Sequence, residues 1–282
     1  MLINGKSSLS EGLKDFSAVI LTGGSSGIGK SFIKLMGKLQ PAVVICNLSR
    51  RSPDMFSEEL KLRHVPCDFG KRDQILQGVE VVLSILNREV PEGRVLLINN
   101  SGYGSHGAFL EADLGNELGI IDVNIRAMVE LTGHFLPTLK ARGGAIINVA
   151  STAAFQPTPL LATYGASKAF VLHWSLALRE ELRGNGNGVH VLAVCPGPTA
   201  TGFAVRAGVK PGSVPGGVGQ TPDDVVEISL RALVARRAVV VCGWKNRWLA
   251  RFSAVLPKTW TAAIALRVIG RVQSAERLEG NA

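Results

Sequence analysis

The sequence predicts an α/β fold in which a parallel sheet is covered by helices on both faces. Apolar, strand-like runs alternate with helical patterns along the chain, and such alternation is typical of parallel strands joined by crossover helices. A glycine-rich segment lies between the first strand and the first helix, as it does in phosphate-binding βα units. The 282 residues, 46% of them apolar, suffice for one large domain, and no linker or internal repeat divides them.

The predicted elements follow one another in regular order. Strands are expected at residues 18–22, 42–47, 63–67, 95–98, 145–150 and 189–195. Helices are expected at residues 30–39, 54–62, 72–86 and 114–139, with a further helix that contains Tyr164 and ends at Arg183, and a turn is expected at 185–188. One domain accounts for this whole pattern.

The glycine-rich turn after the first strand predicts a dinucleotide site. It reads G-G-S-S-G-I-G from Gly23 to Gly29. Glycines let the backbone approach a pyrophosphate, and the following helix offers N–H groups and the positive end of its dipole. Glycine turns are common, so the prediction depends on the placement of this one between a strand and a helix.

The residues after the second strand favour NADP(H) over NAD(H). In dinucleotide folds an acid about 20 residues after the glycines accepts the ribose hydroxyls, whereas an arginine there accommodates a 2′-phosphate. This chain offers Ser49 and Arg50, with no acid nearby. Because a guanidinium can bind a phosphate bidentately, we expect Arg50 to select NADP(H) and Arg51 to be a solvated turn residue.

Three side chains predict proton chemistry at a carbonyl oxygen. Tyr164 and Lys168 are four residues apart and share one helix face, and Ser151 ends the preceding strand. A phenol has a pKa of roughly 10, and a nearby ammonium favours its ionised form. A serine hydroxyl can hold a carbonyl where the phenol protonates it, as hydride addition to a ketone requires. Tyr-x-x-x-Lys also occurs in ordinary helices, so this prediction depends on the dinucleotide site.

Other polar positions have both a functional and a structural interpretation. Asp68, at the end of a strand, could accept from an adenine amino group or cap the next helix. The amides of Asn99 and Asn100 can tie a cofactor-facing loop to neighbouring strands. Asn124, within an apolar helical pattern, could hold a water in a proton relay or make a structural hydrogen bond.

The segment from Leu182 to Pro222 contains no acid and mixes apolar residues such as Phe203 with glycines and prolines. With Arg206 and Lys210, such a segment favours a lipophilic or anionic carbonyl substrate if it covers the site. The alternative is a flexible surface loop whose apolar residues are incidental.

The whole excess of positive charge lies near the C-terminus. Between Glu227 and Glu276 there are nine bases and no acid, and the other 22 bases balance the 22 acids, which gives a net charge of +9. The aromatic and apolar residues Trp244, Trp248, Leu249, Phe252, Trp260 and Ile264 recur among these bases. Such a helix can lie on an anionic membrane, or can pack its aromatics on the domain or a partner subunit. Nucleic-acid binding is disfavoured because no such motif accompanies the charge.

A cytoplasmic protein is expected, with peripheral membrane contact through the C-terminal segment as the open alternative. The sequence contains no charge-free stretch of 18 apolar residues, so no transmembrane helix is predicted. The first 16 residues do not resemble a secretory signal. Cys46, Cys67, Cys195 and Cys242 have no metal-ligand spacing, so reduced core thiols and no metal site are expected.

Together these motifs resemble the classical short-chain dehydrogenase/reductases over residues 16–242. The matching patterns are T-G-x-x-x-G-I-G at 22–29, D-F at 68–69, N-N-S-G at 99–102, Asn124, Ser151, Y-x-x-x-K at 164–168 and P-G-x-x-x-T at 196–201. Ser101 stands where the family usually has alanine. Within the family, the chain is similar to a bacterial subgroup distantly related to 3-oxoacyl and hydroxysteroid reductases.

The resemblance implies a doubly wound (Rossmann) seven-stranded parallel sheet. Residues 1–242 would form the NADP-binding catalytic domain, and 243–282 a basic amphipathic helical extension of it. Tyr164 would exchange a proton with the substrate oxygen, Lys168 would bind the nicotinamide ribose and lower the Tyr164 pKa, Ser151 would orient the carbonyl, and Asn124 would hold a relay water. The implied cofactor contacts are Gly23, Ser25, Gly27, Ile28, Gly29, Arg50, Asp68, Asn100, Gly102, Tyr164, Lys168, Pro196, Thr199 and Thr201.

The implied activity is hydride transfer between NADP(H) and a carbonyl or secondary alcohol, with a lipophilic or acyl-type substrate. Homodimers or homotetramers paired through the Asn124 and Tyr164 helices are usual in the family. The alternative function is an NADPH-binding regulatory or scaffold protein with little turnover. Such proteins usually lose the Tyr or the Lys, and this chain has both.

Overall fold

A parallel sheet of seven strands forms the centre of the computed structural model, which describes residues 5–54, 60–183, 188–207 and 219–267. The strands are β1 (Phe16–Thr22), β2 (Val44–Ser49), β3 (Leu62–Pro66), β4 (Arg94–Asn99), β5 (Ala145–Val149), β6 (His190–Cys195) and β7 (Val239–Val241). Their order is β3-β2-β1-β4-β5-β6-β7, and every neighbouring pair is parallel. The predicted doubly wound, seven-stranded sheet is confirmed.

Helices cover both faces of the sheet. They are α1 (Gly5–Leu13), α2 (Gly27–Leu39), α3 (Arg72–Glu89), α4 (Leu114–Ile121), α5 (Ala127–Ala141), α6 (Ala162–Arg183), α7 (Phe203–Arg206), α8 (Pro222–Val234), α9 (Trp244–Val255) and α10 (258–267). Short 3₁₀ turns lie at Phe109–Glu111 and Thr152–Phe155.

The core consists of two apolar layers, one on each side of the sheet. Successive side chains of a strand point to opposite faces, so Val19 and Leu21 of β1 enter the layer under α1, α2 and α8. Ala18 and Ile20 enter the layer under α3 and α5. Strands buried on both faces are continuous apolar runs, which is why β1, β4 and β5 could be predicted from the sequence.

The long helix predicted at 114–139 is interrupted. A π-helical turn, Asp122–Arg126, joins α4 to α5 and contains Asn124. Apolar periodicity continues through a π turn, so the sequence gives no sign of the interruption. Such turns occur frequently at functional sites.

One other predicted element differs from the structure, one is largely untested, and one helix was not predicted. Of the predicted helix 54–62, residues 55–59 lie outside the described part, and Leu62 begins β3 instead. The predicted turn at 185–188 lies mostly outside it as well. Helix α1 was not predicted, because its burial depends on only two leucines, Leu9 and Leu13, in a polar segment.

The described residues contain no helix that is long and apolar enough to cross a bilayer. The same residues contain no group of three or more His, Cys, Asp or Glu side chains placed to bind a metal. All four cysteines are free and buried, and burial raises the pKa of each thiol to about 12.

Candidate active site

The glycine turn brings two stretches of backbone into close contact. Gly23 has a φ of 74°, which glycine adopts without strain. A Cβ on Gly29 would lie 2.2 Å from the Gly23 carbonyl oxygen, and one on Gly24 would lie 2.4 Å from Asn47 Oδ1. Asn47 Oδ1 also accepts the Gly24 N–H at 2.8 Å. The turn therefore packs tightly on itself and on β2, while residues 25–28 at the start of α2 remain partly exposed, as a pyrophosphate site requires.

The end of β4 is tied to this turn. Thr22 Oγ1 accepts the N–H groups of Asn100 and Ser101, each at 2.9 Å, and Asn100 Nδ2 donates to the Thr22 carbonyl at 2.9 Å. The expectation that an amide ties this loop to a neighbouring strand is confirmed for Asn100. β1 and β4 flank the point where the strand order reverses, which is where doubly wound sheets bind ligands.

Lys168 and Tyr164 lie on one face of α6, as their spacing predicts. The Lys168 side chain is buried, and its Nζ donates to the Val149 carbonyl at 2.8 Å. Nζ lies 5.9 Å from the centre of the Tyr164 ring. Ser151 lies two residues after the end of β5, and its Oγ accepts the Ala153 N–H at 3.1 Å. A hydroxyl, a phenol and an ammonium thus converge beside the glycine turn.

Burial controls the protonation of two of these groups. It lowers the Lys168 pKa to about 8, because a buried ammonium loses its hydration. It raises the Tyr164 pKa above its ordinary value, although the hydrogen bond from Ser151 opposes this effect. Desolvation of the phenol outweighs the contribution of Ser151 here, and the expected lowering of the Tyr164 pKa by Lys168 stays a prediction.

Asn124 fastens three segments together. Its Oδ1 accepts the Tyr103 N–H at 3.1 Å, and its Nδ2 donates to the Tyr103 carbonyl at 3.0 Å and to Ser167 Oγ at 2.9 Å. A Cβ on Gly102 would lie 3.1 Å from Asn124 Oδ1 and 3.2 Å from Lys168 Nζ. Both amide hydrogens are used within the protein, so the structural interpretation of this side chain is confirmed.

A small internal cavity lies beside Lys168. Its volume of about 10 Å³ is close to the minimum that holds one water. Asn99, Asn124 and Lys168 are among its lining residues. Asn99 Oδ1 is buried and has no hydrogen-bond partner, while its Nδ2 donates to Thr132 and Asn148.

The loops after β5 and β6 border the same cleft. The Tyr164 and Phe203 ring centres are 5.1 Å apart. Leu160 has a φ of 65°, and its carbonyl accepts the Gly107 N–H at 2.9 Å. Backbone strain in a non-glycine residue is common at ligand sites. Residues 208–218 of the predicted substrate cover, which include Lys210, lie outside the described part of the chain.

Thr201 lies over the glycine turn, since a Cβ on Gly27 would be 3.1 Å from its methyl carbon. Thr199 Oγ1 donates to the Gly197 carbonyl at 2.9 Å. These contacts bring the P-G-x-x-x-T segment to the same end of the sheet as Gly23–Gly29, where the resemblance places a cofactor.

Arg50 and Asp68 lie at the β2 and β3 ends of this edge. Arg50 is exposed directly after β2. Burial raises the pKa of Tyr103, and the charge of Arg50 opposes this effect, which places Arg50 near the β4 loop. Asp68 Oδ1 accepts the Gly70 N–H at 3.1 Å, whereas the N-cap residue of α3 is Lys71. The alternative that Asp68 caps that helix is therefore wrong.

The sequence profile of the family described as short chain dehydrogenase matches residues 17–210. The chain belongs to this family. Its relatives include the ketoacyl reductase HetN of Nostoc sp. (strain PCC 7120), which is 30% identical over 79% of this short-chain dehydrogenase and 77% of HetN. The very-long-chain 3-oxoacyl-CoA reductase of Homo sapiens is 34% identical over 66% of this chain and 60% of that protein. The chain thus spans less than two thirds of that reductase's length.

Solved structures agree with the fold. A short-chain dehydrogenase from Sphingobium yanoikuyae in complex with NADPH has a TM-score of 0.72 and 27% identity, over 85% of this chain and 93% of that one. A short-chain dehydrogenase from Burkholderia cenocepacia in complex with NADP has a TM-score of 0.74 and 25% identity, over 89% and 98%. A 3-ketoacyl-(acyl-carrier-protein) reductase from Brucella melitensis is complexed with NADH, with a TM-score of 0.69 and 26% identity, over 82% and 98%.

Sequence reasoning missed two residues that shape the dehydrogenase's site. Asn47 supports the glycine turn from β2, and the Tyr103 backbone donates one hydrogen bond to the Asn124 side chain and accepts another from it. Asn47 could have been identified from the sequence, because a polar amide within an apolar strand needs buried hydrogen-bond partners. Tyr103 gave none, since its contribution comes from its backbone.

Proposed function

We propose that this short-chain dehydrogenase is an NADP(H)-dependent oxidoreductase that interconverts a carbonyl and a secondary alcohol. The supporting observation is the convergence of Ser151, Tyr164 and buried Lys168 next to a glycine turn that leaves no room for side chains at Gly24 and Gly29. These glycines let the turn pack closely on its neighbours, and the partly exposed residues 25–28 at the start of α2 fit a bound dinucleotide. When bound, reduced nicotinamide supplies the hydride.

The residues of this chain would manage the proton and the substrate oxygen. The Tyr164 phenol, kept protonated by its raised pKa, can donate its proton to the oxygen of a carbonyl that receives hydride. Ser151, which lies near Tyr164, can hold the same oxygen. Lys168 would bind the nicotinamide ribose, and a charged ammonium there favours the phenolate that forms.

We propose that protons reach Tyr164 from the cavity beside Asn99 rather than from the Asn124 side chain. Both amide hydrogens of Asn124 are already used. Asn99 Oδ1 is an unpaired acceptor that lines the same small cavity as Lys168, so a water there could link the two groups.

We propose a lipophilic, acyl-type substrate. The names of the relatives support ketoacyl or 3-oxoacyl reduction, and Phe203 gives the cleft an apolar wall next to Tyr164. The test is NADPH oxidation with 3-oxoacyl thioesters of increasing chain length, and with short polar ketones and ketoses for comparison. We expect kcat/KM to rise with acyl length. NADPH binding without turnover of any carbonyl compound would instead support a regulatory protein.

Replacing Arg50 with alanine should weaken NADPH binding by about 1.5–3 kcal/mol, the usual strength of a hydrogen bond to a charged group. NADH binding should hardly change, because NADH has no 2′-phosphate. Titration of both cofactors measures the difference, and Arg51→Ala serves as the matched control from the adjacent exposed position. Equal losses for both cofactors, or none, would contradict the choice of NADP(H).

We also propose a homodimer or homotetramer paired through the helices that carry Asn124 and Tyr164. The supporting observation is an exposed apolar surface on these helices, with Leu118, Ile121, Val129 and Phe170 each at least one third exposed. Monomers rarely leave such contiguous surface uncovered.

A cytoplasmic location is proposed as well, because the four free thiols suit a reducing compartment.

A further inference from the structure

Helix α9 is attached to the domain by its small residues. Asn246, Ala250 and Ser253 recur every three to four residues and face inward, and Ala250 and Ser253 are buried. Asn246 Nδ2 donates to the Cys242 carbonyl at 2.8 Å, and Ser253 Oγ donates to Gln156 Oε1 at 2.7 Å. These contacts determine which face of the helix remains outside.

The opposite face of α9 is aromatic and lies in solvent. Trp244, Trp248, Phe252 and Val255 follow at intervals of four, four and three residues, so they form one stripe on a helix. Their exposed fractions are 65%, 55%, 64% and 86%. Of the two sequence-based alternatives, packing of these aromatics on the domain is therefore wrong.

Helix α10 repeats the arrangement. Thr261 is its buried residue, and Trp260 and Ile264, one turn apart, are 65% and 51% exposed. Lys258 Nζ donates to the carbonyls of Phe155 and Ser253, each at 2.9 Å. This ammonium therefore holds both helices against the 3₁₀ turn that directly follows Ser151.

Positive charges flank the aromatic stripe. The exposed bases Lys245, Arg247 and Arg251 lie among the tryptophans, with Lys245 Nζ 5.7 Å from the Trp244 ring centre and the Arg251 guanidinium 5.8 Å from that of Trp248. The sequence has no acid between Glu227 and Glu276. In a dimer with a twofold axis, these positive charges would face the same positive charges of the second copy. An anionic surface complements them instead.

We propose that α9 and α10 form a docking face for an anionic lipid bilayer. The aromatic stripe would enter the interface between headgroups and acyl chains, and the bases would contact lipid phosphates and carboxylates. Because both helices are held against the turn after Ser151, the bilayer would lie at the end of the sheet where the cleft opens. Lipid binding itself does not depend on the proposed oxidoreductase activity.

Vesicle co-sedimentation of the full chain tests the proposal. Vesicles contain phosphatidylcholine with or without phosphatidylserine, at low and high salt. We expect binding that needs phosphatidylserine and weakens with salt. Lys245→Gln/Arg251→Gln should lower the partition coefficient about 5-fold per base, and Trp248→Ser/Phe252→Ser should lower it at least about tenfold.

The matched control is Phe109→Ser, since Phe109 is 63% exposed and belongs to a different element. It should bind vesicles like the wild type, and thermal unfolding should show all variants folded because the replaced side chains lie in solvent. Failure of the wild type to bind, or equal binding by wild type and Trp248→Ser/Phe252→Ser, would overturn the proposal. A concentration-dependent dimer that only Trp248→Ser/Phe252→Ser loses, without vesicle binding, would assign the face to a second copy.

Discussion

Replacing Tyr164 with phenylalanine is expected to reduce kcat about 10³-fold, within the range of general acid catalysis. In the proposed arrangement the phenol gives its proton to the substrate oxygen that Ser151 holds. Phenylalanine keeps the ring that contacts Phe203 and removes only the hydroxyl. Affinity for NADPH should stay within about twofold. The lost hydroxyl acts on the substrate oxygen in the transition state, and such an interaction does not contribute to cofactor affinity.

The chain provides a matched control for this change. It has two tyrosines, and the other, Tyr103, donates its hydroxyl to the Asn116 carbonyl at 3.2 Å on the exposed side of the β4 loop. Tyr103→Phe should keep nearly full turnover. If Tyr164→Phe turned over carbonyl substrates at the wild-type rate, the assignment of proton donor would be wrong, whatever the cofactor affinity.

The parts of the site that could be predicted are those where chemistry depends on local spacing. A spacing of four positions places Tyr164 and Lys168 on one helix face whatever surrounds them. The glycines of the 23–29 turn are required because two stretches of backbone approach each other closely there. In the structure a Cβ on Gly29 would lie 2.2 Å from the Gly23 carbonyl oxygen. Both features depend only on residues that are close together in the sequence.

The parts that could not be predicted depend on distant partners. The sequence left open whether Asn124 binds water or protein, and the answer lies in Tyr103 and Ser167, 21 and 43 residues away. The pKa of Tyr164 was expected to fall, but its direction depends on burial by the whole fold.

Helix α9 shows the same limit in another form. Hydrophobic periodicity predicts an amphipathic helix, but it does not say which face meets the domain. Here the small face around Ala250 packs inward and the aromatic face around Trp248 is exposed. Close approach of two backbones favours small residues, so the usual rule that the apolar face is buried fails.

Replacing Lys168 with methionine is expected to abolish most turnover and, at the same time, to change how stability depends on pH. The Lys168 pKa is about 8 in the folded protein, against an ordinary lysine pKa of 10.5. Between these values the unfolded chain binds more protons than the folded one, so the free energy of unfolding rises with pH. This lysine therefore destabilises the fold at pH 7 and stops doing so at high pH.

The expected size follows from the two pKa values. Relative to Lys168→Met, which cannot ionise, the wild type should gain about 2–3 kcal/mol of unfolding free energy between pH 7 and pH 10. Urea unfolding of both proteins at the two pH values measures this gain. The comparison cancels every other titrating group and the lost hydrogen bond to Val149, because both are the same at each pH.

Lys140→Met is the matched control, since Lys140 is exposed on α5, and its removal should leave the pH dependence of stability unchanged. A wild type that gained no stability over Lys168→Met by pH 10 would mean that the Lys168 ammonium is compensated where it lies. Its burial would then not lower the free energy of unfolding. Any lowering of the Tyr164 pKa by Lys168 would then depend on the bound cofactor. With the expected result, this dehydrogenase loses stability to keep an ammonium buried beside Tyr164, as sites that position charge for catalysis commonly do.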